Sequence, residues 1–171
     1  MRELVRLFTD ITLLRRGPQD LPASPLLLVL TIGAYLGLFV LAGELAPRQQ
    51  LPLQGLLYAL FTVVWYVVLL KIVGRPERAL QTITGLFAVQ IVLTPLQLAA
   101  EVLLQHFPQD SPSALPIVTV AFVIVIWLIV ASSRVVKAAL EWTTGASVGI
   151  TLLQLLTGGL LVLAVLHPEK S

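Results

Sequence analysis

The sequence predicts an all-α, polytopic membrane protein with five transmembrane helices in one bundle and an N-terminal amphipathic helix at the membrane surface. Of its 171 residues, 57% are hydrophobic and 12% are charged, about half the charged fraction of a typical soluble domain. The apolar residues form blocks long enough to cross a bilayer, which takes roughly 20 helical residues. The blocks are apolar all round, whereas the helices of a soluble bundle carry a polar face.

Five apolar blocks qualify as membrane spans. We expect them at about residues 26–45, 53–73, 79–104, 115–133 and 145–166. Residues 25–171 then form one transmembrane domain, preceded by a cytoplasmic helix and linker over residues 1–24. Ser24 and Pro25 are typical of a helix start, because serine caps the first free N–H groups and proline suits the first helical position. Pro95 interrupts the third span, where it removes one backbone hydrogen bond.

The basic residues predict the orientation in the membrane. Arg48 and Lys170 lie on one predicted side, and the other nine lysines and arginines lie on the opposite side. Those nine are Arg2, Arg6, Arg15, Arg16, Lys71, Arg75, Arg78, Arg134 and Lys137. Cytoplasmic connections carry the excess of basic residues, so the N-terminus is expected in the cytoplasm and the C-terminus outside.

The N-terminal segment has the spacing of an amphipathic helix over residues 2–16, ended by Gly17 and Pro18. Its apolar face carries Leu4, Leu7, Phe8, Ile11 and Leu14. Such a helix lies in the headgroup layer. It either anchors the first span and packs under the bundle or offers a docking face to a partner. The basic residues of this candidate surface helix are Arg2, Arg6, Arg15 and Arg16.

Residues 134–144 also have a helical pattern. This connection either continues the fourth span or bends along the membrane surface.

A polar stripe on the third span is the strongest candidate site. Gln90, Thr94, Gln97 and Glu101 are spaced so that they share one face of a helix. Polar groups within a bilayer need partners, so the stripe is expected to face the bundle interior. It is either interhelical glue, with Gln154 and Thr157 of the fifth span as the partner surface, or one wall of a small polar cavity open to the outside.

Two pairs of glycines are candidates for close helix packing. Gly33 and Gly37 lie four residues apart in the first span, and Gly145 and Gly149 are spaced alike at the start of the fifth. This spacing lets helix backbones approach each other. We expect the contacts to lie within the chain rather than in a dimer.

The sequence carries no recognisable catalytic pattern. No Asp, Glu, His, Lys or Arg falls at a mid-membrane position, and phosphate-loop and nucleophile-elbow motifs are missing. Cysteine is absent, and His106 and His167 lie in predicted external segments. We therefore expect no enzyme activity, cofactor or metal. The net charge of +2 also gives no reason to expect a nucleic-acid partner.

The spans and their short basic connections resemble those of a known family. The stretches that carry the likeness are VVWYVVLLKIVGRPERALQTITGLF (Val63–Phe87) and VIWLIVASSRVVKAALEW (Val125–Trp142). Together with the five-span order over Leu26–Leu166, they resemble the Yip family of Rab/Ypt-interacting membrane proteins, particularly its bacterial branch. Residues 13–24, LLRRGPQDLPAS, resemble the opening of small proteobacterial inner-membrane proteins. The resemblance implies a bacterial inner-membrane location and supplies no catalytic residues.

Two functions fit these observations. The first is a non-enzymatic scaffold, accessory subunit or membrane organiser, whose partners are the bilayer and another membrane protein. Recovery of a stoichiometric partner from mild detergent would support it. The alternative is a small transporter or channel component with a polar path along the third span, which requires a cavity that reaches the polar stripe.

Overall fold

The computed structural model describes residues 2–45, 51–105, 107 and 114–166, and these ranges are helical apart from short turns. The helices are α1 Arg2–Thr12, α2 Pro25–Leu45, α3 Leu51–Ile72, α4 Ala79–Leu104, α5 Leu115–Leu140 and α6 Thr144–Leu166. Short 3-10 turns lie at Pro18–Asp20 and Pro76–Arg78. The all-α prediction is confirmed.

Helices α2 to α6 are long and apolar enough to cross a membrane, which characterises a multi-pass membrane protein. Their ends lie within two residues of the predicted spans except at the end of α5, which continues to Leu140 instead of stopping at residue 133. Of the two alternatives for residues 134–144, the continuous helix is the one observed. The added turns are helical because Val135, Val136 and Ala139 are buried in the bundle core.

The five long helices form a closed ring. Helix α2 packs against α3 and α4, α5 packs between α4 and α6, and α6 returns to α3. At one end lie the α3–α4 turn and the α5–α6 turn, and we call this the basic end. Its interior is filled by Tyr66, Leu70 and Phe87, each at most 1% exposed.

Helix α1 is four residues shorter than predicted. It ends at Thr12 because Leu14 takes a left-handed conformation, with φ of 62°, and the Arg15 N–H donates to the Asp10 carbonyl at 2.8 Å. This reversal closes the helix before Gly17 is reached. Ile11 and Thr12 are buried, since the end of α1 packs against α4 and α5. The position of α1 at a membrane surface stays a prediction.

Glu141 links the α3–α4 turn to the α5–α6 turn through hydrogen bonds. It ends α5 in a left-handed conformation, with φ of 56°. Its carboxylate accepts hydrogen bonds from Arg75 at 2.6 Å and from Arg78 at 2.7 Å. Arg78 also donates to the carbonyls of Ala138 and Ala139, which have no partner within the helix. The start of α4 therefore caps the end of α5.

The predicted packing glycines do not make close contacts within the described parts of the chain. A Cβ atom added at Gly33, Gly37, Gly145 or Gly149 would meet nothing within 4 Å. The expectation that these glycines pack helices within the chain is therefore wrong, because their faces point away from neighbouring helices.

Close packing of α6 against α3 occurs at a different glycine. A Cβ atom at Gly158 would lie 2.9 Å from the ring of Tyr58 and 3.0 Å from the ring of Phe61. Both rings belong to α3, so the absence of a side chain at Gly158 sets how closely the two helices approach.

We expect Gly158→Val to lower the free energy of unfolding by about 1–3 kcal/mol, because the added atoms overpack the α3–α6 contact. The measurement is reversible unfolding in mixed micelles with increasing dodecyl sulfate. Gly149→Val is the matched control on the same helix, since no atom lies within 4 Å of its Cβ position. Equal destabilisation by both variants would contradict this account of the packing.

Glu141 gives the fold a dependence on acid pH. The guanidinium groups of Arg75 and Arg78 lower the pKa of Glu141 from 4.5 to about 2. A depressed pKa means that the ionised carboxylate stabilises the fold above the unfolded value and that this contribution is lost as the pH falls from about 4.5 to about 2. We expect the thermal midpoint of the wild type to fall more over this interval than that of Glu141→Gln. Glu3→Gln, at an exposed site, should follow the wild type.

Candidate functional site

An open cavity of about 290 Å³ lies between the long helices, in the half of the bundle away from the basic end. All five long helices contribute to its wall. The lining residues are Tyr35 and Phe39 of α2, Gln54 and Tyr58 of α3, Gln90, Thr94 and Gln97 of α4, Leu128 of α5, and Leu155, Gly159 and Val162 of α6. Three of the four residues in the predicted polar stripe therefore line one cavity.

The polar side chains that α4 contributes keep their hydrogen-bonding capacity. Gln90, Thr94 and Gln97 are only partly buried, and their side chains make no hydrogen bond to any residue that the structure describes. Interhelical glue requires bonds between side chains on different helices. The contacts favour the other interpretation, in which the stripe is a cavity wall.

The cavity is closed toward the basic end. The ring of Tyr35 contacts the ring of Phe87 at a centroid distance of 5.0 Å, and Phe87 is fully buried. Thr62 of α3 lies one helix turn nearer to the basic end than the wall residue Tyr58, and it is buried. Thr151 of α6, one turn nearer to that end than Leu155, is buried as well. The open volume therefore occupies one half of the bundle and does not continue through it.

Gln154 has different partners from those predicted. Its amide lies 3.1 Å from the Tyr58 hydroxyl and 3.1 Å from the Thr62 hydroxyl, both on α3. The predicted pairing with the α4 stripe is not observed, because α6 turns this residue toward α3. Thr157 donates to the backbone of its own helix. Gln154 thus joins α6 to α3 and holds Tyr58 in the cavity wall.

The cavity wall is mostly apolar, with amide and hydroxyl groups at a few positions and no charged side chain. None of the eleven lining residues is Asp, Glu, Lys, Arg or His. Glu101, the fourth residue of the predicted stripe, is partly buried and lies outside the lining. The wall can therefore donate and accept hydrogen bonds through amides and hydroxyls, while aromatic and aliphatic side chains supply apolar contact.

Two wall residues on α3 were missed at the sequence level. Gln54 and Tyr58 are four residues apart and so share one helix face, a spacing that could have identified them. The candidate surface-helix residues Arg15 and Arg16 lie far from this cavity and line a separate cleft at the basic end. Arg6 is exposed on α1, while Arg2 begins that helix. His106 and His167 lie outside the described residues.

Comparison of the chain with protein-family models, with curated proteins and with solved structures gave no match. The resemblance to the Yip family therefore stays a prediction.

We expect Gln154→Leu to lower the free energy of unfolding by about 1–2 kcal/mol, because two interhelical hydrogen bonds are lost and the Thr62 hydroxyl stays buried without that partner. Gln97→Leu is the matched control, since it removes the same amide from a side chain without a hydrogen-bond partner among the described residues. Unfolding in dodecyl sulfate mixed micelles measures both. A larger loss for Gln97→Leu would indicate that the stripe is glue after all.

Proposed function

We propose that this protein binds a small uncharged molecule, one with both hydrogen-bonding and apolar parts, in the cavity between its five long helices. The observation that carries the proposal is the set of three side chains, Gln90, Thr94 and Gln97, that face one volume without a hydrogen-bond partner among the described residues. Amide and hydroxyl groups inside a bilayer need partners. Water or a bound molecule satisfies them here.

The cavity lining supports an uncharged ligand. Moving an isolated ion into a site without a countercharge costs far more than moving a hydrogen-bonded neutral group. The aromatic side chains Tyr35 and Phe39, with Leu128 and Leu155, provide a surface for an apolar part. A volume of about 290 Å³ is close to the lower end of ligand cavities, so the ligand is small.

The cavity is closed toward the basic end, and this favours one role for ligand binding over another. A cavity that occupies one half of the bundle can receive a molecule from one side, as the binding state of a transporter component does. We therefore favour a transporter or channel component over a scaffold. The scaffold role, the bacterial inner-membrane location and the cytoplasmic N-terminus stay predictions, because none of the described contacts bears on them.

The test uses the purified full chain in mild detergent and monobutyrin, a small uncharged amphiphile, as the probe. We expect monobutyrin to raise the thermal midpoint of the wild type, whereas butyl phosphate and butylammonium do not. Thr94→Val should weaken monobutyrin binding by roughly three- to tenfold, the loss expected for one neutral hydrogen bond.

The matched control is Thr119→Val, which removes the same hydroxyl from an exposed position outside the cavity. Its hydroxyl bonds to the carbonyl of Leu115 in the same helix, so monobutyrin binding should be unchanged. Gly159→Val should weaken binding by reducing the cavity volume, because Gly159 lines the cavity and no atom within 4 Å of its Cβ position hinders the added side chain. Equal effects of Thr94→Val and Thr119→Val, or stabilisation by all three probes, would contradict the proposal.

A further inference from the structure

A separate cleft of about 300 Å³ lies at the basic end, between the end of α1, the α1–α2 linker and α5. Three arginines line it, Arg15 and Arg16 from the linker and Arg134 from α5. The other lining side chains that carry charge or apolar bulk include Asp20, Leu14 and Val135. The proposed ligand cavity lies in the opposite half of the bundle and makes no use of these residues.

The backbone of the linker brings the arginines together. Leu14 adopts a left-handed conformation, which is unfavourable for a residue that carries a side chain. The reversal at Leu14 turns the chain back across α5, so that Arg15 and Arg16 lie beside Arg134, far along the sequence. Non-glycine residues in this region often mark sites where the surrounding structure imposes the conformation.

Two of the three guanidinium groups are not neutralised by the protein. Asp10 lies 3.6 Å from Arg16, and Asp20 accepts the N–H of Gly17 at 3.1 Å. Neither Arg15 nor Arg134 has an ion pair or side-chain hydrogen bond to any residue in the described ranges. Asp20 therefore offsets only part of the positive charge that surrounds the cleft.

The neighbouring cleft at the same end gives the contrast. It is lined by Arg78, whose guanidinium is occupied by Glu141 and by the carbonyls at the end of α5. There the cation is a structural cap, whereas Arg15 and Arg134 have no comparable role in the fold.

The cleft lies where the membrane-spanning part of α5 ends. The first 19 residues of α5, Leu115 to Ser133, contain no charged side chain, and Arg134 follows them. Nineteen helical residues rise by about 28 Å, close to the thickness of the hydrocarbon core. The Arg134 guanidinium is therefore expected at the depth of the lipid headgroups, and α2 begins five residues after Asp20 at the same end.

We propose that this cleft binds the phosphate group of an anionic phospholipid headgroup, with Arg15 and Arg134 as its main ligands. Guanidinium groups present paired N–H donors that fit phosphate oxygens, and such bonds are stronger than neutral ones. Leu14 and Val135 also line the cleft and add apolar surface beside the arginines. Arg16, held by Asp10, adds positive charge at the rim.

The experiment measures lipid binding to the full chain by native mass spectrometry after titration with phosphatidylglycerol or phosphatidylcholine. We expect the wild type to bind phosphatidylglycerol at least about tenfold more tightly than phosphatidylcholine. The double variant Arg15→Gln, Arg134→Gln should lose that preference, since each charge-assisted bond contributes roughly a tenfold factor.

The control is the double variant Arg6→Gln, Lys71→Gln, which removes the same charge from exposed basic residues outside the cleft. It should keep the preference. Equal loss in both double variants would show general surface attraction and overturn the site, and so would full retention of the preference in the arginine variant.

Two further measurements distinguish a lipid ligand from free phosphate and separate a loss of binding from a loss of folding. Displacement of phosphatidylglycerol by millimolar inorganic phosphate would assign the site to free phosphate, and no displacement would assign it to the lipid headgroup.

If the glutamine variant unfolds at a lower temperature in phosphatidylcholine, the double variant Arg15→Lys, Arg134→Lys replaces it. This variant keeps the positive charge but loses the paired N–H donors, so it should show an intermediate preference. Thr94→Val should leave lipid selectivity unchanged, which separates this site from the proposed ligand cavity.

Discussion

The first three turns of α4 are the part of the structure on which the rest depends. Eight consecutive residues, Thr82 to Val89, are buried, so no face of the helix is left for lipid in this stretch. Burial on every side is possible only because α1 and the linker cover the face that α2 and α5 leave open. Gly85 allows this, since a Cβ there would lie 3.2 Å from Val135 and 3.4 Å from Pro18. The N-terminal segment is therefore part of the core.

The difference between hydroxyl and amide side chains explains where the bundle is closely packed and where it contains a cavity. A threonine hydroxyl can bond to the carbonyl one turn earlier, as Thr31 and Thr151 do, so it can be buried in a helix without a neighbour. A glutamine amide has two donors and an acceptor and needs partners beyond its own helix. Gln154 and Gln81 find such partners on α3 and in the linker. Gln90 and Gln97 find none among the described residues, and the bundle is open beside them.

Much of the fold was predictable from the sequence, because hydropathy and helix capping act within one segment. The five long helices follow from apolar length, and the predicted cap is present, with the Leu27 N–H 3.4 Å from the Ser24 hydroxyl. The polar stripe was predictable for the same reason, since residue spacing alone places Gln90, Thr94 and Gln97 on one face.

What the sequence did not provide is how each helix is rotated against its neighbours. That rotation decides that Gly158, and neither Gly145 nor Gly149, contacts α3, and that Gln154 turns toward Thr62. It also decides which arginines are caps and which line a cleft. The early end of α1 has a similar origin, because Leu14 is held in its strained conformation by contacts with residues distant in sequence.

The hydrogen bond from the indole of Trp127 to the carbonyl of Thr12 has a consequence for how the chain is assembled. The two residues are 115 positions apart in the sequence. At the usual rate of synthesis, the ribosome needs about 6–23 s to pass from one to the other. During that time α1 has no indole to which its Thr12 carbonyl can bind. Helix α1 is thus synthesised well before the side chain that it binds, and it can reach its final position only after α5 has been made.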